Sequence, residues 1–281
     1  MEIGKIILIG AGNVAHHLAP ALLQAGLDLC QIYSRSIESA RRLGVRTGVA
    51  YTAEINDIYP DGDLYLFCVS DDNLPAVLKS VRVNRDALLL HTSGSQPMDV
   101  LKPYAENYGV LYPVQTFSRR RELSFREIPL CVEGNVPVVT EWIKAFAKSL
   151  SDSVYEIDSH KRKNLHLAAV FVNNFSNYLY NIGSKIMAGS DLPFDLLRPL
   201  IFETANKVMQ MSPEDAQTGP ARRGDESILG MHKALLKDNK EWLRLYTLLS
   251  DEIRALYAMK EKDGIQKAEA AGDVSNMPTL W

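Results

Sequence analysis

The chain has 281 residues, 46% hydrophobic and 23% charged, with a formal net charge of -3. The composition is that of a globular protein rather than a disordered or fibrous one, and the length suggests two domains. The small negative charge excludes a general attraction to nucleic acid or anionic membranes.

Met1-Glu2 leads straight into strand-like residues, without the basic, apolar and cleavage-site pattern of a signal peptide. No apolar stretch approaches the roughly 20 residues needed to span a bilayer, so a cytoplasmic protein is expected. Cys30, Cys68 and Cys131 lie far apart in apolar runs, which suits buried reduced thiols better than disulfides or a metal site.

In chain order, apolar runs at 5–10, 29–34, 63–70, 87–92 and 108–114 alternate with helix-like segments, which predicts a parallel sheet. Leu64-Tyr65-Leu66-Phe67-Cys68-Val69 and Leu88-Leu89-Leu90 are almost continuously apolar, as central strands covered on both faces require. The first crossover helix is expected over 13–26, closed by Gly26, and the second over 36–43, closed by Gly44. A further helix over 136–150 and a short strand at 154–157 end the strand signals. Beyond them the chain reads as helices over 160–188, 194–211 and 233–259, broken by Pro193, Pro213 and Gly219-Pro220. The fold class is therefore α/β, a Rossmann-type doubly wound sheet over 1–157 followed by an all-helical C-terminal domain over 158–281. The tail from Gly264 has no assigned element, and its Leu280-Trp281 suits docking on a surface or on another subunit.

Gly10-Ala11-Gly12-Asn13-Val14-Ala15 ends the first strand and opens the first helix. Gly10 would make the tight turn and Gly12 would admit a pyrophosphate, while the amides of Asn13 and Val14 would face its oxygens. About 20 residues further on, where an NAD site places a carboxylate, stands Ser34-Arg35-Ser36. A guanidinium flanked by hydroxyls suits the 2′-phosphate of NADP; the alternative is a solvated arginine beside a capping serine. Val69, Ser70 and Thr92 sit at strand ends where a cofactor is expected, and Ser93 has a hydroxyl for the nicotinamide ribose or a substrate oxygen. Asp71 reads best as the cap of the following helix.

In the helical half, Leu165, Ala168, Ala169, Val172, Phe175, Leu179, Ile182 and Ile186 fall on one face, the expected core side. Opposite lie Lys163, His166, Asn173, Asn174, Asn177 and Asn181, dense enough in amides to line a polar site. Hydride transfer to a carbonyl or imine needs a proton donor and neutral hydrogen bonders, and His166 with Asn174 suits those roles. Lys163 suits a substrate carboxylate or, as a catalytic group, proton donation; Asn173 suits a substrate contact, and the loop 218–225 offers Arg223 for an anion with Asp225 to orient it. The blander readings are a polar residue between domains for His166 and an ordinary connection for the loop. Arg119-Arg120-Arg121 is expected to be a solvated mobile loop.

With these motifs in place, the chain resembles a bacterial family of provisionally assigned NADP oxidoreductases. Its members have a Rossmann-like N-terminal domain and a helical C-terminal domain of unknown function. The likeness rests on His166-Leu167-Ala168-Ala169-Val170-Phe171 with Asn174, and on Thr218-Gly219-Pro220 with Arg223-Gly224-Asp225. More distantly it is similar to pyrroline-carboxylate reductases, ketopantoate reductases, prephenate dehydrogenases and deazaflavin-dependent NADP reductases. The resemblance implies NADP and the fold more firmly than a substrate. The catalytic Lys with a nearby Asn of β-hydroxyacid dehydrogenases is not reproduced after Lys163, and Tyr112-Pro113-Val114 stands where prephenate dehydrogenases show His-Pro-Met.

The expectation is an NADP(H)-dependent oxidoreductase acting on a small anionic carbonyl or imine, the alternative a non-catalytic NADP(H)-binding sensor. Trp242, Tyr246, Leu249, Ile253, Leu256 and Tyr257 repeat at helical spacing. They fit either a homodimer through the helical domain or packing within one subunit.

Overall fold

In the computed structural model, which describes residues 3–271, the apolar runs of the first half line up in one sheet. Its strands are β1 (Ile6–Ile9), β2 (Leu29–Tyr33), β3 (Ala50–Thr52), β4 (Leu64–Phe67), β5 (Leu88–His91), β6 (Asn107–Pro113), β7 (Leu130–Gly134) and β8 (Val154–Glu156). They run in the order β3-β2-β1-β4-β5-β6-β7-β8. All neighbours are parallel except β6 and β7, which correct the expectation of a wholly parallel sheet. Sequence periodicity misses β3, an edge strand with Ala50 and Tyr51 exposed, and β7, whose Leu130-Cys131-Val132 run follows directly on Pro129.

The four residues each of β1, β4 and β5 are buried throughout, and successive side chains feed two cores. Ile6 and Leu8 join Leu18, Leu22 and Ile143 on one face, while Ile7 and Ile9 join Phe67, Leu74 and Val77 on the other. Each such aliphatic side chain contributes about 1.5–3 kcal/mol through burial, which fixes the strands between two helical layers. Chain order reverses at β1 and β4, and the diverging connections open a crevice at their carboxyl ends.

The helices of the first half are α1 (Asn13–Gln24), α2 (Ile37–Thr47), α3 (Leu74–Ser80), α4 (Pro137–Leu150) and α5 (Ser159–Ala169). α2 does not stop at Gly44: it continues one more turn, and the Gly48 amide caps it by donating to the Gly44 carbonyl. α5 begins where Asp158 accepts from the Lys161 amide at 2.8 Å. It passes through a π-helical turn, Val170–Phe175, into α6 (Ser176–Ala188). Then follow α7 (Arg198–Val208), α8 (Pro213–Ala216), α9 (Pro220–Arg223), α10 (Glu226–Leu235) and α11 (Lys240–Ala271).

The chain forms two compact units, one ending at Asn177 and the other beginning at Tyr178, so α5 and the π turn group with the sheet. Much of the predicted core face of this helix is not covered by the described residues: Val172 is 76% exposed, and Phe175, Leu179 and Ile186 are exposed as well. This corrects the expected core side: periodicity marks an apolar face but not whether anything covers it. Leu280-Trp281 lies outside the described residues. Among the described residues no helix is long and apolar enough to cross a membrane.

Candidate active site

The turn after β1 is shaped by one backbone constraint. Gly10 has φ +116, and a Cβ there would stand 2.5 Å from the Cys68 carbonyl oxygen, so β1 can bend away beside β4 only through glycine. Gly12 occupies the N-cap position of α1 with no side-chain cap, which leaves first-turn amides free for an anion. Ala15 is fully buried against the core, where a larger residue would push the helix away.

A cavity of about 240 Å³ opens above this turn, with Gly10, Gly12, Ser34, Arg35, Ser36, Val69 and Ser70 in its wall. Ser36 also caps α2, accepting from the Ser39 amide at 3.3 Å. Arg35 is exposed, and among the described residues its guanidinium has no hydrogen bond or ion pair. An uncapped helix start and a free guanidinium in one groove fit the diphosphate and adenosine ends of a dinucleotide. Asn13 has only its backbone to offer this groove, since its carboxamide donates to the Phe117 carbonyl at 3.1 Å. Thr92 is buried, and its hydroxyl donates to Phe67 O at 3.3 Å, tying β5 to β4. A larger hollow of about 780 Å³ lies along α1 between Pro20, Gln24 and Leu150, but it contains none of the strand-end residues.

The second cluster forms where β4, β5 and β6 end. Asp71 is not the cap of α3, whose N-cap position is Asn73; its carboxylate accepts from the Ser95 hydroxyl instead. Ser93 Oγ accepts from the Ser95 and Gln96 amides at 3.1 and 2.9 Å, which leaves its O–H as the available donor. Between them, Gly94 lies directly under α5. A Cβ there would stand 2.6 Å from His166 Nδ1 and 2.9 Å from Tyr112 Cζ. Close approach therefore requires glycine at 94, and it brings together His166 and Tyr112, whose Nδ1 and Oη are 3.2 Å apart. The rings meet edge to face with centroids 6.1 Å apart. Burial, the first cause, pushes the Tyr112 phenol above its ordinary value and keeps it protonated at neutral pH.

With Nδ1 engaged by Tyr112, His166 has Nε2 left for chemistry. Lys163 is exposed about one turn earlier on α5. Asn173, half-buried, and Asn174, exposed, both fall in the π turn, which shifts their register relative to a regular helix. In the second unit, Arg223 Nε and Nη2 donate to Asp225 Oδ2 at 3.0 and 2.8 Å. Part of the expected irregular loop there is the helical turn α9.

Residues 5–93 match the family described as NADP oxidoreductase coenzyme F420-dependent, and residues 128–253 match a domain of unknown function, DUF2520. A Bacteroides fragilis protein provisionally described as an NADP oxidoreductase is 42% identical, with a TM-score of 0.84 over 90% of this chain and 98% of that one. The chain belongs to that NADP oxidoreductase family. The fold also matches an imine reductase from Myxococcus stipitatus in complex with NADP+, at 15% identity and a TM-score of 0.61, covering 92% of this chain and 95% of that one. A glutamyl-tRNA reductase from Shewanella loihica is 27% identical over 84% of this chain, which spans only 57% of that relative's length. The protein is thus an oxidoreductase with a pyridine-nucleotide fold.

This oxidoreductase fastens α5 to its sheet with residues that sequence reasoning passed over. Arg162, only 1% exposed, forms an ion pair with Glu133 on β7 and donates to Gln96 O at 2.6 Å and Ser159 Oγ at 3.1 Å. Glu133 in turn accepts from the Ser159 amide at 2.9 Å and hydroxyl at 2.8 Å. Flanked by Lys161 and Lys163, Arg162 looks in sequence like part of a solvated basic run. Two of the three cysteines are buried as expected: Cys68 and Cys131 are free, and burial pushes them to about 12 and about 11, whereas Cys30, also free, is only half-buried.

His91 in the oxidoreductase is fully buried at the end of β5. Its Nδ1 accepts from the Ser93 amide at 3.2 Å, and among the described residues its Nε2 has no hydrogen-bond partner. Burial, and secondarily the charge of Arg162, push its pKa down to about 4 from 6.5. The unfolded chain therefore binds a proton first as pH falls, and stability is lost between about pH 6.5 and pH 4, by up to about 3 kcal/mol. His91→Asn keeps an acceptor for the Ser93 amide and removes the titration. Urea unfolding at pH 7 and pH 4.5 should show a smaller acid loss in the variant; an unchanged loss would place the acid sensitivity elsewhere.

Proposed function

We propose that this oxidoreductase moves a hydride between NADP(H) and a small carbonyl or imine compound bearing a negative charge. The observation that carries the reading is the Tyr112–His166 pair built over Gly94 at the strand ends. When bound, the nucleotide supplies or receives the hydride. The chain's own part is to place a proton: as the substrate carbon gains hydride, its oxygen or nitrogen takes the proton from His166 Nε2, and the reverse reaction returns it. Tyr112 Oη accepts from Nδ1–H throughout and keeps Nε2 as the exchanging atom. Ser93 O–H and the amides of Asn173 and Asn174 are neutral partners for the reacting group. Lys163 is the cation for the substrate's negative group.

The reading favours NADP over NAD because Ser34-Arg35-Ser36 offers a free guanidinium and no carboxylate at the ribose position. Exposed Leu196, Leu200, Phe202 and Met209 support a homodimer through the helical domain, since a second copy would remove these apolar side chains from water.

Two measurements test the proposal. Titration of Arg35→Ala should show NADPH affinity reduced about ten- to a hundredfold with NADH affinity unchanged, the loss of charge-assisted hydrogen bonds to one phosphate. Equal loss for both nucleotides would refute the 2′-phosphate role. A panel of keto acids and cyclic imines should contain substrates that drive NADPH oxidation; a panel inert with a protein that binds NADPH would favour a sensor.

A further inference from the structure

The segment between β6 and β7 is not the free basic loop that Arg119-Arg120-Arg121 suggests in sequence. It crosses back over the glycine turn and is tied there three times. Phe117 O accepts from the Asn13 carboxamide at 3.1 Å, Ser118 O pairs with His17 Nε2 at 3.0 Å, and Arg119 Nη2 donates to Ala11 O at 2.8 Å. The Phe117 ring anchors the strap from below, 5.3 Å from the His17 ring and stacked 6.3 Å from Phe125.

The strap places Arg119 in an electrostatically unfavourable position. A guanidinium is held against the turn that opens α1, at the positive end of the helix dipole, where a cation is repelled. Arg46 and Arg119 already push the neighbouring His16 down, after burial as first cause. Among the described residues, one neutral carbonyl engages a single one of the five N–H donors of Arg119. An anion at the start of α1 would answer both the uncapped amides and the spare donors.

We propose that Arg119 is a cationic contact for the diphosphate of the nicotinamide dinucleotide, carried to the glycine turn by the 114–124 strap. The proposal rests on the nucleotide occupying the groove, but neither on the preference for NADP nor on the role of His166. It separates two arginines by function: Arg35 reads the phosphate that distinguishes NADP, and Arg119 holds the diphosphate common to both nucleotides.

The test is a direct binding titration of the full chain with NADPH, NADH and 2′-AMP, the last having the 2′-phosphate without the diphosphate. Arg119→Ala should weaken NADPH and NADH by the same factor, about ten- to a hundredfold, and leave 2′-AMP unchanged. Arg119→Lys should recover part of the loss, because it restores the charge without the planar fork. Unchanged or tighter dinucleotide binding in Arg119→Ala would overturn the proposal, as would an equal loss for 2′-AMP. If the wild-type chain bound neither dinucleotide, the occupancy of the groove would fail instead, and the proposal with it.

Discussion

Replacing Arg162 with methionine should lower stability by about 3–5 kcal/mol, the cost of removing one partner from a buried ion pair. The effect is large because the guanidinium satisfies three elements at once: Glu133 on β7, the Gln96 carbonyl in the loop after β5, and Ser159 at the start of α5. Methionine fills similar volume but leaves the Glu133 carboxylate, 13% exposed, without its counter-charge. Removing both charges in Arg162→Met/Glu133→Gln should recover much of the loss, since the penalty lies in the unpaired charge more than in the absence of the pair. Urea unfolding of the two variants checks this. A single variant within about 1 kcal/mol of wild type would mean that the network does not hold α5 on the sheet.

The same network explains why the site was only partly legible in sequence. Strand identity was readable because β1, β4 and β5 are buried on both faces, and a run such as Leu88-Leu89-Leu90 has few other uses. The glycine turn was readable because Gly10 and Gly12 serve the backbone, and backbone demands recur at fixed spacing. His166 was found through the polar stripe of its own helix. Its partner Tyr112 was not, because Tyr112 lies on β6 and meets His166 only after Gly94 lets α5 approach. Arg162 and Arg119 failed for a related reason: each sits in a run of basic residues, and sequence cannot tell which member of a run turns inward. The Arg119 contact joins residues 108 positions apart, beyond any local pattern.

His166→Asn should reduce kcat by about 10²–10⁴, the usual contribution of a positioned acid or base, while leaving the NADPH dissociation constant unchanged. Asparagine keeps a neutral polar group of similar reach, so a loss confined to turnover would report proton transfer rather than collapse of the cleft. Tyr112→Phe separates positioning from acid chemistry. It removes only the hydroxyl that holds Nδ1, and ¹⁵N spectra of the imidazole should show a wild-type ring with hydrogen on Nδ1 relaxing towards the Nε2–H tautomer. The variant should lose kcat with little change in KM, because the ring remains over Gly94 but its resting tautomer has the hydrogen on Nε2 and leaves the basic nitrogen, Nδ1, turned away from the substrate. If the tautomer shifted while His166→Asn retained full turnover, Tyr112 would still set the ring and the proton would have to come from another group. If His166→Asn lost turnover with the tautomer unmoved in Tyr112→Phe, His166 would act without that orientation, and the 3.2 Å contact would be packing alone.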